Sequence, residues 1–373
     1  MEGHVSDIER KGEPMSNKIY LVLENGDVFE GKSFGAPIRE DSPVIGELVF
    51  TTGATGYLET ITDPNFCGQF VIQTFPLIGN YGVISAETIG ETSYLKAYIV
   101  REWCEEPSNF RCEGDLSTFL FNKGVPGLYD IDTRALTKIV RDNGVMNAAL
   151  TTDPNFDAKL LKDYKIANPV ATVAKNETAE YPVENASNKV VLWNMGVTRH
   201  AEEYLNALGC SVVSVPASAT AEEILAMAPN GVVVSDGPGD PKDNGAVVEE
   251  LKKVLAAKVP VLGISLGHQL LALANGADTY KLKYGHRGGN QPAKHLETGR
   301  IYVTSQNHGY AVCEKTLPQG AEVIFTNIND GSCEGIKYEN GLSVQFIPVA
   351  TGGMNATAFI YDEFVKMLQG VKN

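Results

Sequence analysis

The sequence predicts an α/β protein in which an N-terminal β-rich α+β domain precedes a C-terminal doubly wound α/β domain. The chain has 373 residues, which is enough for two domains. From residue 189 onward, short apolar runs alternate with amphipathic patterns, as they do where crossover helices join parallel strands. Before residue 153, glycine and proline separate strand-like runs instead. We therefore expect domains at 18–152 and 189–373, a polar linker at 153–188 and a disordered tail at 1–17.

The first half contains several strand patterns and one clear helix. Strands are predicted at 19–23, 28–31, 44–52, 70–75 and 97–101. Asn25-Gly26 favours a tight hairpin turn between the first two strands. A helix is predicted between Asp132, a good N-cap, and Gly144, a good terminator. We interpret this half as a scaffold or an interaction domain, because its charged and aromatic residues do not indicate catalysis.

The second half follows the strand–helix alternation of a parallel sheet. Strands are predicted at 190–193, 211–215, 232–235 and 259–264, and helices at 199–208, 221–227 and 246–256. Mixed short strands and a last helix at 356–368 complete the pattern. Sites of doubly wound sheets lie at the carboxyl ends of the strands. Three glycine-containing loops are predicted there, namely 194–196, 236–240 and the turn around Ser265.

The turn around Ser265 has the form of a nucleophile elbow. Gly263-Ile264-Ser265-Leu266-Gly267 is a G-x-S-x-G pattern between a strand and a helix. Small neighbours are needed on so tight a turn, and the N-terminus of the helix offers backbone N–H groups to an oxyanion. A plain strand–turn–helix with a glycine-lined corner explains the same five residues, so this pattern leaves both interpretations open.

Composition excludes several classes of protein. The formal net charge of −15 argues against binding to nucleic acids or to anionic membranes. No apolar run is long enough to span a bilayer, and we find no signal peptide. The six cysteines are scattered without a C-x-x-C pair, which indicates reduced thiols in the cytoplasm and no metal site.

Longer motifs carry a family resemblance. They are S-D-G-P-G-D-P (235–241), G-I-S-L-G-H-Q-L-L-A-L-A (263–274), K-Y-G-H-R-G-G-N-Q-P (283–292) and T-S-Q-N-H-G-Y-A-V (304–312). They resemble a class I glutamine amidotransferase domain, specifically that of the small subunit of carbamoyl phosphate synthetase. T-T-G-A-T-G-Y-L-E-T-I-T-D-P (51–64) and I-D-T-R-A-L-T (131–137) extend the resemblance to the first half.

The resemblance implies a partner and a pathway. In that family a cysteine attacks the amide of glutamine, with a histidine and a glutamate of an H-P-E motif as base and orienting group. Ammonia passes to a large subunit, which makes carbamoyl phosphate for pyrimidine and arginine synthesis. ATP and metal would belong to that subunit, so no cofactor is expected in this chain.

The catalytic positions depart from the family pattern. Ser265 stands at the cysteine position, and Ile347 and Val349 stand where the family has histidine and glutamate. Isoleucine and valine cannot accept a proton. Asp236 replaces a common asparagine, and 194–196 and 350–355 also differ from the family. We therefore expect a pseudoenzyme without glutamine hydrolysis. A serine at position 265 alone could be a trapping mutation, but the aliphatic residues at 347 and 349 do not look like one.

The pocket could still bind an amide. The resemblance assigns glutamine contacts to Gly53, Gly237, Gly239, Leu266, Gln269, Asn307, Gly309 and Tyr310. Retained structure without retained binding explains these residues as well, since Gly53 replaces a serine. His268 and His308 are the candidates for a rescuing base, whereas His286 and His295 are expected on the surface or in loops. The alternatives to a subunit are a stand-alone binding module and a weak serine hydrolase or glutaminase.

Overall fold

Residues 18–151 form a closed seven-stranded β-barrel in the computed structural model, which describes residues 18–40, 42–349 and 356–370. The predicted tail at 1–17 lies outside the described residues. The barrel order is β1-β2-β8-β6-β4-β3-β9. The elements are β1 (Lys18–Leu23), β2 (Val28–Gly35), β3 (Val44–Thr51), α1 (Tyr57–Thr62), β4 (Gln69–Gln73), β5 (Leu77–Ile78), β6 (Ala97–Ile99), β7 (Glu102–Trp103), α2 (Leu116–Lys123), β8 (Pro126–Tyr129), α3 (Thr133–Asn143) and β9 (Met146–Thr151).

Helix α3 confirms the predicted caps and covers one side of the barrel. The Asp132 side chain accepts a hydrogen bond from the N–H of Ala135, and the N–H of Gly144 donates to the carbonyl of Val140. Leu136 and Val140 are fully buried with residues of the barrel strands. The helix is strongly amphipathic because its apolar positions recur with helical spacing.

The second domain is built on a ten-stranded sheet with the order β10-β12-β11-β13-β14-β19-β18-β17-β15-β16. Strands β12, β11, β13, β14 and β19 are mutually parallel, which confirms the predicted doubly wound core. The elements are α4 (Pro169–Val173), β10 (Ala179–Tyr181), β11 (Asn188–Asn194), α5 (Ala201–Ala207), β12 (Cys210–Pro216), α6 (Ala221–Ala226), β13 (Gly231–Val234), α7 (Gly245–Ala256), β14 (Val261–Ile264), α8 (Leu266–Ala274), β15 (Asp278–His295), β16 (Ile301–Cys313), β17 (Glu322–Asn327), β18 (Cys333–Tyr338), β19 (Gly341–Val344) and α9 (Phe359–Gly370).

The expectation of only short strands after the elbow is wrong for β15 and β16. These strands have 18 and 13 residues and pair as one long antiparallel hairpin. Register shifts interrupt the pairing twice, between Lys281 and His286 and between Gly288 and Gln291, and such irregularities bend a strand locally. The hairpin contacts the barrel, where the N–H of Val145 donates to the carbonyl of Lys283 at 2.8 Å.

The segment predicted as a linker contains short regular elements. Helix α4 lies in it, and β10 pairs antiparallel with β12 at the edge of the second sheet. The domain boundaries themselves remain predictions. Within the described ranges, none of the helices has the length and apolar character needed to cross a membrane.

Candidate active site

Ser265 lies at a strained turn between β14 and α8. Its backbone has φ 52° and ψ −104°, an unfavourable region for a residue with a side chain, and only 2% of it is exposed. A Cβ on Gly263 would lie 2.5 Å from the carbonyl oxygen of Gly267. A Cβ on Gly267 would lie 2.1 Å from the carbonyl oxygen of Val234. Both glycines are therefore required for close backbone approach, as in a nucleophile elbow.

A cavity of about 470 Å³ opens in front of Ser265. Seven of the predicted glutamine contacts line it together with Ser265: Gly237, Gly239, Leu266, Gln269, Asn307, Gly309 and Tyr310. The barrel contributes Glu47, Asn65 and Gln69 to the same wall. The first half, predicted to be a scaffold or an interaction domain, therefore supplies part of the cavity wall.

The remaining predicted positions lie elsewhere. Gly53 and Ile347 line a second cavity of about 580 Å³, and Asn307 lines both cavities. The N–H of Ile347 donates to the carbonyl of Ser305 at 3.0 Å, and its side chain is buried. Val349 packs against apolar residues of the second domain. Ser265 and Ile347 therefore line two cavities that have Asn307 in common.

A buried ionic bridge joins the domains beside Ser265. Arg199 donates to Asp63 of the barrel at 2.9 Å and to Asp236 at 3.2 Å. Asn65 donates to Asp236 at 2.6 Å, and Asn307 donates to Asp63 at 2.9 Å. Two carboxyl groups thus share one guanidinium in a largely buried bridge.

Asp236 influences the nucleophile position directly. Burial raises the pKa of the Asp236 carboxyl, Arg199 counteracts this rise, and an interaction with the Ser265 hydroxyl also favours the charged form. The hydroxyl of Ser265 therefore faces an acceptor that is itself held by Arg199 and Asn65. A carboxylate in that bridge is poorly placed to take a proton from serine, because protonation would leave Arg199 with one partner fewer.

Neither candidate histidine is positioned as a base for Ser265. His268 is fully buried, and Nδ1 of its ring lies 2.7 Å from Oγ of Ser343. Burial lowers the pKa of His268 to about 3. His308 contacts the carbonyl of Tyr310 at 2.8 Å and Oε1 of Gln306 at 2.9 Å, and burial lowers its pKa well below the usual value. Among the described residues, no hydrogen bond joins either ring to Ser265.

His286 is not a surface residue, so that expectation is wrong. It lies on β15, buried, with Nε2 2.9 Å from Asp330 and Nδ1 3.4 Å from Glu334. His295 ends the same strand and is half-buried rather than in a loop. Burial lowers the pKa of His286, but hydrogen bonds and charges of Asp330 and Glu334 outweigh it and raise the pKa to about 9.

The contacts of both ring nitrogens of His286 favour a structural interpretation of the cluster. The donor atoms of His286, His308 and Glu334 lie within 4.8 Å of one another, close enough to hold a metal ion. A protonated imidazole has no lone pair for a metal, however, and both of its N–H groups have acceptors here. We interpret the cluster as a structural ion pair, and the absence of a metal site remains a prediction.

The His286 cluster predicts a pH dependence of stability. A pKa raised from 6.5 to about 9 on folding contributes stability that is fully present below pH 6.5 and is lost as pH rises through 9. We compare the free energy of unfolding of the wild type with that of His286→Gln. The amount by which the wild type is more stable should fall by about 2–3 kcal/mol between roughly pH 6 and pH 10. Urea unfolding of both proteins measures this, with His295→Gln as the control. A difference that stays constant with pH would contradict the assignment.

Comparison with known proteins identifies the family. Residues 21–150 match the model of the carbamoyl-phosphate synthase small chain, CPSase domain, and residues 191–367 match that of glutamine amidotransferase class-I. The chain is 44% identical over 355 residues to the carbamoyl phosphate synthase small chain of Clostridium perfringens, which covers 94% of this chain and 99% of the relative. The chain belongs to the carbamoyl phosphate synthase small chain family.

Other relatives show the same coverage. The small chain of Lactococcus lactis subsp. cremoris is 41% identical over 360 residues, which are 95% of this chain and 99% of the relative. That of Fusobacterium nucleatum is 42% identical over 353 residues, which are 93% and 97% of the two chains. The family fold thus extends over both domains, and the resemblance found in the motifs is confirmed.

Sequence reasoning missed the bridge and the cationic part of the site. Asp63 belongs to the motif at 51–64 but was assigned no function, and a helix was predicted to begin at Arg199. The structure gives Arg199 a φ of 48° and starts α5 at Ala201. Arg287 belongs to a quoted motif but was assigned no function. A charged residue within an otherwise apolar or glycine-rich motif was the available signal, because such charges need buried partners.

Proposed function

We propose that this chain is the small chain of a carbamoyl phosphate synthase that binds the large chain but does not hydrolyse glutamine. In this proposal it has a structural or regulatory role in the complex, and free ammonia is the nitrogen source. ATP and metal ions are used by the large chain. The family membership supports the partner, since the match covers nearly the whole chain.

The side chains at the catalytic positions are the observation that carries the loss of hydrolysis. Ser265 has the place of a nucleophile, but Ile347 and Val349 offer neither a proton acceptor nor a hydrogen bond to orient one. A serine hydroxyl depends on a base at neutral pH far more than a thiol does. Loss of members of such a triad costs roughly 10⁴ to 10⁶ in turnover.

The test uses the chain together with a large chain from the same organism. We expect a stable complex at micromolar concentration by size-exclusion chromatography with light scattering. The complex should make carbamoyl phosphate from ammonium chloride and not from glutamine, with the large chain alone as the control. Glutamate release within about a hundredfold of ordinary turnover, roughly 1–10³ s⁻¹, would end the pseudoenzyme proposal.

The alternatives give different results in the same experiment. A stand-alone binding module forms no complex at micromolar concentration. A weak serine hydrolase or glutaminase releases glutamate in a reaction that Ser265→Ala abolishes. The positions of His268 and His308 disfavour the hydrolase, because neither imidazole is hydrogen-bonded to Ser265 among the described residues, and burial lowers the pKa of both, which makes them weak bases.

A further inference from the structure

Phe110 is a large apolar side chain that the fold leaves in solvent. Its surface is 95% exposed, and the next most exposed large apolar residue of the described chain, Leu160, is 66% exposed. Phe110 lies in the loop of residues 104–114, between β7 and α2 of the first domain. Scattered apolar residues are ordinary on protein surfaces, so the surroundings of Phe110 determine whether the exposure of its ring has a function.

The 104–114 loop is fixed on the barrel by close backbone contacts. The N–H of Ser108 donates to the carbonyl of Asn80 at 3.0 Å. A Cβ on Gly82 would lie 2.3 Å from Sγ of Cys112, so glycine is required there for the loop to pack this closely. A ring on a fixed loop loses little conformational entropy when a partner buries it, which makes Phe110 well suited to anchor an interface.

The charges of the 104–114 loop are unbalanced. Its one cation, Arg111, lies with Nη2 2.5 Å from Oε1 of Glu87 and with Cζ 5.9 Å from the centre of the Phe110 ring. The three acidic residues of the loop are exposed and take part in none of the ion pairs of the described chain: Glu105, Glu106 and Glu113. The loop therefore presents an aromatic ring among negative charges that have no cation of this chain.

The same loop borders the second cavity, where the two domains meet. Asn109 and Arg111, on either side of Phe110, line this cavity together with Ile347 of the second domain. A protein that docks on Phe110 therefore also lies beside residues of both domains, which a partner of the whole chain requires.

We infer that the 104–114 loop is a docking surface for the large chain, with Phe110 as its anchor. The complementary surface has an apolar pocket for the ring and a rim of lysine or arginine, because exposed glutamates without a cation favour a positive partner. A second copy of this chain fits less well, since a two-fold axis would bring two negative loops together at a formal net charge of −15 per chain. The inference rests on the proposed function for the identity of the partner and not for the loss of hydrolysis.

Titration of the full-length chain into the large chain from the same organism measures the anchor. Phe110→Ala should raise the Kd of the complex about 10- to 100-fold, the effect of removing an aromatic anchor. Leu160→Ala is the matched control. It removes another exposed apolar side chain of the first domain, near Lys162 on the wall of the Ser265 cavity, and should change the Kd less than about threefold. Thermal unfolding of isolated Phe110→Ala should stay within about 2 °C of the wild type, because an exposed ring contributes little to the fold.

Stopped-flow association at low and high salt measures the negative rim. The double variant Glu105→Lys, Glu106→Lys should associate with the large chain about tenfold more slowly at low ionic strength, and salt should reduce the difference. The control is Glu177→Lys, Glu184→Lys, which changes the net charge equally at two exposed positions between the domains and should change the rate less than about threefold.

The outcomes separate this inference from the proposed function. An affinity of Phe110→Ala equal to that of the wild type, or a loss no larger than that in Leu160→Ala, overturns the inference and leaves the proposed function intact. Absence of a wild-type complex overturns both. A dimer of the isolated chain that Phe110→Ala dissociates, detected by light scattering, assigns the anchor to a second copy and overturns the inference. Glutamate release by an intact complex overturns the proposed loss of hydrolysis alone.

Discussion

Ser265→Cys alone is expected to give no measurable glutamate release. The new thiol would lie in a buried position next to the Asp236 carboxylate, and both burial and a negative neighbour disfavour the thiolate. It would also lack a base to take its proton and to protonate the leaving ammonia. Assays of glutamate release by the purified variant, with and without a large chain, measure this.

The first measurable hydrolysis is expected when a base is restored together with the thiol. Ile347→His supplies the imidazole, and Asp236→Asn removes the carboxylate that opposes the thiolate. Residues that act as a unit are strongly non-additive, so each single change should do little and the combination should raise turnover by about 10²-fold or more. Adding Val349→Glu should increase the rate again, because imidazole orientation depends on the third group.

A matched variant separates base catalysis from a change of shape. Ser265→Cys, Ile347→Gln and Asp236→Asn together keep a polar side chain at position 347 that cannot act as a base, so this protein should stay inactive. In the variant that carries Ile347→His, glutamate release must also rise with pH as the new imidazole loses its proton. Misplacement of that imidazole by about 1 Å lowers the rate on the order of a hundredfold. The segment that adjoins it, 350–355, lies outside the described residues. Rapid turnover by Ser265→Cys alone would show that another group, His308 first, is the base.

The fold was largely predictable because its signals are local. Alternating patterns, caps such as Asp132 and glycines such as Gly263 act on neighbouring residues, and a sequence displays them directly. The part of the cavity that the loops after β13 and β14 form was predictable, because these loops meet at one edge of the sheet. The predicted loop 194–196 is not among the residues that line the cavity. The long β15–β16 hairpin was not predicted, because register shifts interrupt the regular alternation of its strands.

Charge pairing across the domains was the part that the sequence could not reveal. Asp63 and Arg199 are 136 positions apart, and Asn307 is 244 positions from Asp63. Nothing in local patterning indicates which distant charge a residue will meet. The same limit applies to Arg287, whose lack of a carboxylate partner among the described residues becomes visible only when the positions of both Glu47 oxygens are known.

Arg199→Met is expected to destabilise the protein by about 3–5 kcal/mol, because it leaves Asp63 and Asp236 as buried carboxylates without a cation. Urea unfolding at neutral pH measures the loss. The triple variant Arg199→Met, Asp63→Asn, Asp236→Asn removes all three charges and should recover most of it, since replacing a whole buried pair is far less costly than breaking one. Arg111→Met, which removes an exposed cation paired with Glu87, is the control and should cost less than about 1 kcal/mol.

The loss in Arg199→Met should also shrink in acid. The pKa of Asp236 is already raised by burial in the wild type, and removing Arg199 takes away the main group that holds it down. A carboxyl whose folded pKa lies above its unfolded value binds a proton more tightly in the folded state, so stability rises as pH falls through the folded pKa. The difference between Arg199→Met and the wild type should therefore be largest near pH 7 and smaller near pH 5. Two results would contradict this: a loss of stability in Arg199→Met no larger than that in Arg111→Met, or a loss that does not change with pH. Either would mean that the two carboxylates are solvated and that the bridge does not hold the two domains together beside Ser265.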